Sequence, residues 1–287
     1  MADYEPVDIS GVTNAPLSML GQDSGAVAGP QLFRGLPFVV RGDGDDALIS
    51  LGTGGGVSIP LGSAARRVIF AHRLMETKVP QGGPLGVEVA DFVFHYVGGD
   101  EERVTIRERF EIAAIPGPTD IPGVPGSPYL AFTDTTAELM PRTEGPWDAT
   151  GRRQTEAGNV MSRWYYLWAF ESPHPERVID SVEIVPRGPA FVIAAVTLGH
   201  ADEHPFAREG RRPARIVLTD QADAARPFDL DVEVDRGDAT YVHPLPEGGA
   251  DDFVAHPFKG YGQEQNTASS PAYVEVSAVP SATVTVK

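Results

Sequence analysis

Cysteine is absent from the 287 residues, which excludes disulfides, thiolate metal ligands and a cysteine nucleophile and leaves the redox compartment unreadable from this residue. Long apolar runs are missing too. The longest, Phe191 to Leu198 (FVIAAVTL), falls far short of the ~20 residues that a membrane helix needs. The N-terminal MADYEPVDIS has neither the basic nor the apolar stretch of a signal peptide. A soluble chain is the expectation, with secreted and cytoplasmic locations both open, because an initiating Met can stand where a leader was removed. Positive charge is scarce: 23 Lys and Arg against 40 Asp and Glu give a net charge of −17. Such a field repels nucleic-acid phosphates and anionic lipid surfaces, so neither nucleic acid nor a membrane is expected as a partner. G-x-S-x-G, P-loop and dinucleotide-binding motifs are also lacking, which removes support for serine-hydrolase, NTPase and Rossmann readings.

Turn formers, by contrast, are plentiful. Glycine and proline, 31 and 26 residues, make up about a fifth of the chain and are spread between short apolar runs, which predicts many turns joining short strands and argues against helix bundles. Leu36 to Val40, Ala47 to Leu51, Val57 to Leu61 and Arg67 to Leu74 are strand-length and punctuated by glycine-rich stretches. Val87 to Val97 and the alternating Arg103 to Arg109 flank Gly98-Gly99-Asp100 and read as a hairpin. Residues 113–161 are proline-rich, the mark of a long functional or covering loop. The aromatic stretch Arg163 to Phe170 follows, then strands Val178 to Val185 and Phe191 to Leu198. Charge accumulates over residues 199–213, which places a domain boundary there.

The reading is all-β in two domains: a β-sandwich over residues 1–205, a linker at 206–213, and a small immunoglobulin-like β-sandwich over 214–287. In the second domain Tyr273 to Val276 and Thr283 to Val286 flank Pro280-Ser281 as a hairpin signal. The chain stops inside a strand pattern at Lys287, so this domain is expected to be incomplete and the protein to continue or to be one subunit of a larger assembly.

Five motifs in order carry a resemblance over residues 7 to about 199. They are Val7-Asp8-Ile9-Ser10, the strand Phe33-Arg34-Gly35-Leu36-Pro37-Phe38, Arg67-Val68-Ile69-Phe70-Ala71-His72, the hairpin pieces Pro84-Leu85-Gly86-Val87 and Phe94-His95-Tyr96, and Tyr166 to Pro175. Together they resemble the galactose-binding-like jelly-roll domain of multidomain bacterial carbohydrate-active proteins. The resemblance implies a jelly-roll β-sandwich in the first domain. It does not imply one activity, because jelly rolls host lectins, accessory modules and enzymes. Gly98-Gly99-Asp100 replaces the usual Asp-Gly turn, and residues 113–161 are longer than the pattern.

Alternation puts Trp164, Tyr166, Trp168 and Phe170 on one strand face. That face is either sandwich core, the favoured reading, or a platform on which sugar rings stack. Trp147, alone in the proline-rich loop, is the better exposed candidate, with Arg152 and Arg153 nearby in sequence. Glu171 and His174, around a rigid Ser-Pro-His-Pro turn, are either a structural corner or a carboxylate–imidazole pair. His200 and His204 have metal-ligand spacing only on a helix, which Pro205 argues against. Asp43, Asp45 and Asp46 offer oxygens to a structural calcium but do not fill its shell of six to eight ligands. No other cofactor is implied.

The leading expectation is a non-catalytic carbohydrate-binding or accessory module, its site built from Trp147, Arg152, Arg153, Trp164, Glu171 and His174. Its partners would be a polysaccharide and a catalytic domain or subunit. The alternatives are a β-sandwich glycoside hydrolase or lyase using Glu171 and His174 as acid and base, and a structural module that pairs exposed strand edges with further copies of itself.

Overall fold

The computed structural model describes residues 2–21, 28–42, 46–115, 155–159, 162–206, 209–245, 250–255 and 268–287. The chain is mostly β-strand and divides into two compact units, the first running to Pro205 and the second from Phe206 to Lys287. Among the described residues no helix is long and apolar enough to cross a membrane.

The first unit is built from two antiparallel sheets. One contains β1 (Tyr4–Pro6), β12 (Phe191–Gly199), β6 (Arg67–Leu74), β10 (Ser162–Glu171) and β9 (Thr155–Asn159) in that order, with β4 (Ile49–Leu51) also paired to β12. The other runs β5 (Val57–Ala64), β11 (Val178–Pro186), β7 (Glu88–Tyr96), β8 (Glu101–Arg107). Period-two alternation aims Val68, Phe70 and Leu74 of β6 and Trp168 and Phe170 of β10 into one cluster with Phe92, Phe94, Val182 and Ile184 of the second sheet. The core reading of Trp168 and Phe170 therefore holds: the ring of Phe170 stacks on Phe94 at 3.6 Å.

The other face of β10 is covered as well. Tyr165 and Leu167 are fully buried, because β2 (Gly29–Phe33) and β3 (Leu36–Val40) form a hairpin that places Phe33 5.6 Å from the Tyr165 ring. Phe33 to Phe38 is thus not one strand. Arg34 and Gly35 both have positive φ, 57° and 79°, the signature of a two-residue hairpin turn. The Pro37 carbonyl accepts a hydrogen bond from Thr197 Oγ1 at 2.6 Å, tying the hairpin to β12. The expected hairpin between β7 and β8 forms, with Gly98 and Gly99 in positive φ at its tip.

In the second unit β13 (Arg212–Ile216), β17 (Ala272–Ala278) and β15 (Gly237–Ala239) pair in that order, with β16 (His243–Pro244) also on β17. The strand begins at Arg212, inside the stretch read as linker. The hairpin expected around Pro280-Ser281 does not form: β18 (Val284–Val286) pairs with β14 (Val232–Val234), while β17 pairs elsewhere. Alternation identifies a strand but not its partner. Two short helices, α1 (Gln221–Ala225), whose first amides Asp220 caps, and α2 (Ala250–Ala255), were not evident from the pattern.

His72, on the core face of β6, is fully buried between Phe70 and Phe92. Its Nε2 donates to the Glu111 carbonyl at 2.9 Å, so the neutral Nε2–H tautomer is present, and Nδ1 has no partner among the described residues. Burial lowers its pKa to about 4, partly offset by that hydrogen bond. The unfolded chain, titrating near 6.5, binds the extra proton first, so this contribution is complete above pH 6.5 and is lost as pH falls toward 4. It amounts to on the order of 3 kcal/mol. Chemical denaturation at a series of pH values checks it: His72→Phe, weakened at neutral pH by the unpaired Glu111 carbonyl, should lose this part of the slope.

Candidate functional site

Two ends of the first unit present polar groups, and they are the two ends of β6, about 23 Å apart at strand rise. At the Arg67 end the Arg67 guanidinium binds Glu171 Oε1 at 3.0 Å. Ser172 is buried, its Oγ bonded to Tyr96 Oη at 2.8 Å and accepting the His174 amide at 3.2 Å. His174 is exposed, its ring edge-on to Tyr96 at 5.8 Å. Arg177 lies over the same tyrosine ring and pairs with Asp100 at 2.8 Å. Burial is the main reason the Tyr96 phenol sits above its usual pKa. The Glu171 to His174 corner is thus knitted together by its own contacts.

Of the residues expected to form one site, Glu171 and His174 share this corner and Trp164 lies away from it. Trp164 is buried and lies seven positions from Glu171 along β10, about 23 Å. Trp147, Arg152 and Arg153 lie outside the described residues. So do Asp43 and Asp45, and Asp46 is exposed. Among the described residues no group of three or more His, Asp or Glu is placed to hold a metal. Residues 200–204 are not helical; Glu203 is buried and accepts from Tyr4 Oη at 2.9 Å.

At the Leu74 end a pocket of about 1030 Å³ opens, its lining including Glu76, Thr77, Lys78, Gln81, Val87 and Glu108. Two segments build it. The first leaves β6 and is pinned by the Met75 amide to the Ala190 carbonyl at 2.8 Å and by the Ala190 amide to Glu76 Oε1 at 3.0 Å. A short 3₁₀ turn, Val79–Gln81, ends at Gly82 in the left-handed region, φ 82°. Gly83 then packs so closely that an added Cβ would lie 2.7 Å from the Lys78 carbonyl oxygen, which already accepts the Gly83 amide.

The second segment is a tight turn after β8. Arg109 is held at φ 70°, a conformation that costs a non-glycine residue stability and persists where its surroundings enforce it. The enforcement is visible: the Phe110 and Glu111 amides both donate to the Arg107 carbonyl, Glu111 Oε2 accepts the Arg107 amide, and the Arg109 amide donates to the Ile112 carbonyl. The hydrogen bond from His72 ties the turn to the core. Its product is Glu108, 2% exposed, lining the pocket and accepting from Thr77 Oγ1.

Glu108 and Thr77 escaped the sequence reading because the pair spans 31 positions and Glu108 sits in the tail of an alternating strand, where an acid ordinarily faces water. The visible signal was the glycine pair at 82 and 83 before Pro84, which marks a rim where chain approaches chain.

No family model matches the chain, nor does any curated protein or solved structure.

Gly83→Ala should destabilise the first unit by about 1–3 kcal/mol through overpacking against the Lys78 backbone. Gly55→Ala, with open space around its Cβ, should change stability by less than about 0.5 kcal/mol. Equal effects in denaturant titrations would contradict this account of the rim.

Proposed function

We propose that the first unit is a carbohydrate-binding or accessory module of a polysaccharide-processing protein, a jelly-roll sandwich of the galactose-binding-like kind followed by an immunoglobulin-like sandwich, and that it binds saccharide in the pocket at the Leu74 end of β6. The observation that carries this reading is the lining. Carboxylate, hydroxyl, amide and ammonium groups face one concave space with apolar Val87, Pro84 and Pro189, the mixture that a polyhydroxylated ring with apolar C–H faces demands. The motif resemblance along residues 7 to 199 points the same way.

Binding is favoured over catalysis by Glu171 and His174 because Glu171 is held by Arg67, and the His174 backbone and ring are engaged with Ser172 and Tyr96. Such a module docks beside a catalytic domain or subunit, which supplies the chemistry.

A glycan-array screen of the purified chain, run beside a reducing-end assay on the best ligands, tests the reading. The expected outcome is binding without release of reducing ends, weakened at least tenfold by Thr77→Val and unchanged within twofold by Glu171→Ala. Turnover would favour the hydrolase or lyase alternative. Silence in both assays would leave the structural-module alternative.

A further inference from the structure

We infer that the pocket is selective for a cationic saccharide, an amino sugar whose amine is free rather than acylated, and that Glu108 is the group that receives the ammonium. The inference rests on the carbohydrate-binding reading and names the substrate class of that site.

The argument begins with Glu108 itself. A carboxylate that is almost wholly removed from water is normally paired with a cation or with several donors, because desolvation disfavours its charge. The buried Asp91 in the same unit shows the usual arrangement: its side chain is 1% exposed and is held by Arg103, Thr105 and Arg187. Burial alone would raise the Asp91 pKa, and those hydrogen bonds outweigh it to leave the carboxyl below its ordinary range. Glu108 has no such set. Among the described residues its side chain is bonded to Thr77 Oγ1, a neutral hydroxyl, and no ion pair reaches it. Lys78, a cation of the rim, is exposed and makes no ion pair with it among the described residues.

The difference between these two acids is where they sit. Asp91 lies within the β7 ladder, where strand neighbours supply cations. Glu108 lines an open pocket, so a countercharge can come from a ligand. Carboxylates accept along about four lone-pair directions, and one hydroxyl leaves the rest for a charge-assisted donor. An ammonium suits those remaining directions better than a divalent cation, for which no group of three ligating side chains exists among the described residues. The strained Arg109 turn fixes Glu108 in place before any ligand arrives, which cuts the ordering cost of binding.

The probe is a short β-linked glucosamine oligosaccharide, compared with its fully N-acetylated counterpart by calorimetry near physiological salt, where the general field of an acidic protein is screened. The intact chain should bind the free-amine form at least tenfold more tightly. Glu108→Gln should abolish that preference, while Asp180→Asn, the same charge change at an exposed strand position, should keep it. A preference that survives Glu108→Gln, or equal affinity for the two forms, would overturn the inference while leaving the carbohydrate-binding reading standing. Failure of every saccharide to bind would overturn both. Should Glu108→Gln fail to fold, the unaltered chain decides: its preference must vanish as pH rises past the amine's pKa, and a preference independent of pH would contradict the assignment.

Discussion

The contact on which the first unit depends is the meeting of Phe70 with Phe92, Phe94 and Trp168 between the two sheets. Each such aromatic pair adds roughly 0.5–1.5 kcal/mol beyond the apolar area it buries. The register of β6 follows from it. With Phe70 inward, Val68, His72 and Leu74 must also point into the core, and a slip of one residue would turn Arg67 and Arg73 inward in their place. The pairing of Trp168 with Phe70 and of Phe170 with Val68 then fixes β10.

The pocket is a consequence of that register. His72 faces inward close to the end of β6, where an imidazole can reach the carbonyl of Glu111 and anchor the turn that carries Glu108. Leu74 accepts its place by donating its amide to the Ala113 carbonyl at 3.0 Å, which holds the far side of the same turn. Core and site are therefore not independent: the buried histidine that costs the fold stability in acid is also the strut beneath the pocket wall. A purely apolar residue at position 72 would pack, but it would leave the turn without its tie.

Much of the architecture was legible along the chain. Alternation over Arg103 to Ile106, the glycines at 98 and 99, and the apolar run from Phe191 each specified a strand or a turn through local chemistry alone. Long-range pairing was not. Nothing in Thr283 to Val286 says that its partner is Val232 to Val234 rather than β17, and nothing in Phe33 to Phe38 distinguishes a strand from a hairpin until Arg34 and Gly35 are seen in positive φ. The site followed the same division. The aromatic segment was readable as core, yet Glu171 and Trp164 looked close because they are near in sequence, whereas a strand carries them to opposite ends of the sheet. Glu108 becomes conspicuous only when burial is known, since its spacing is that of an ordinary solvent-facing acid.

The account makes the two ends of β6 chemically distinct, one a polar corner whose groups bond to one another and the other an open pocket with a preset carboxylate. Hydrogen–deuterium exchange of the chain with and without a saturating saccharide separates them most directly. Ligand binding in the pocket predicts added amide protection over residues 75–83 and 107–112 and none over 171–177. Protection confined to 171–177, or absent from both, would contradict the assignment of the site.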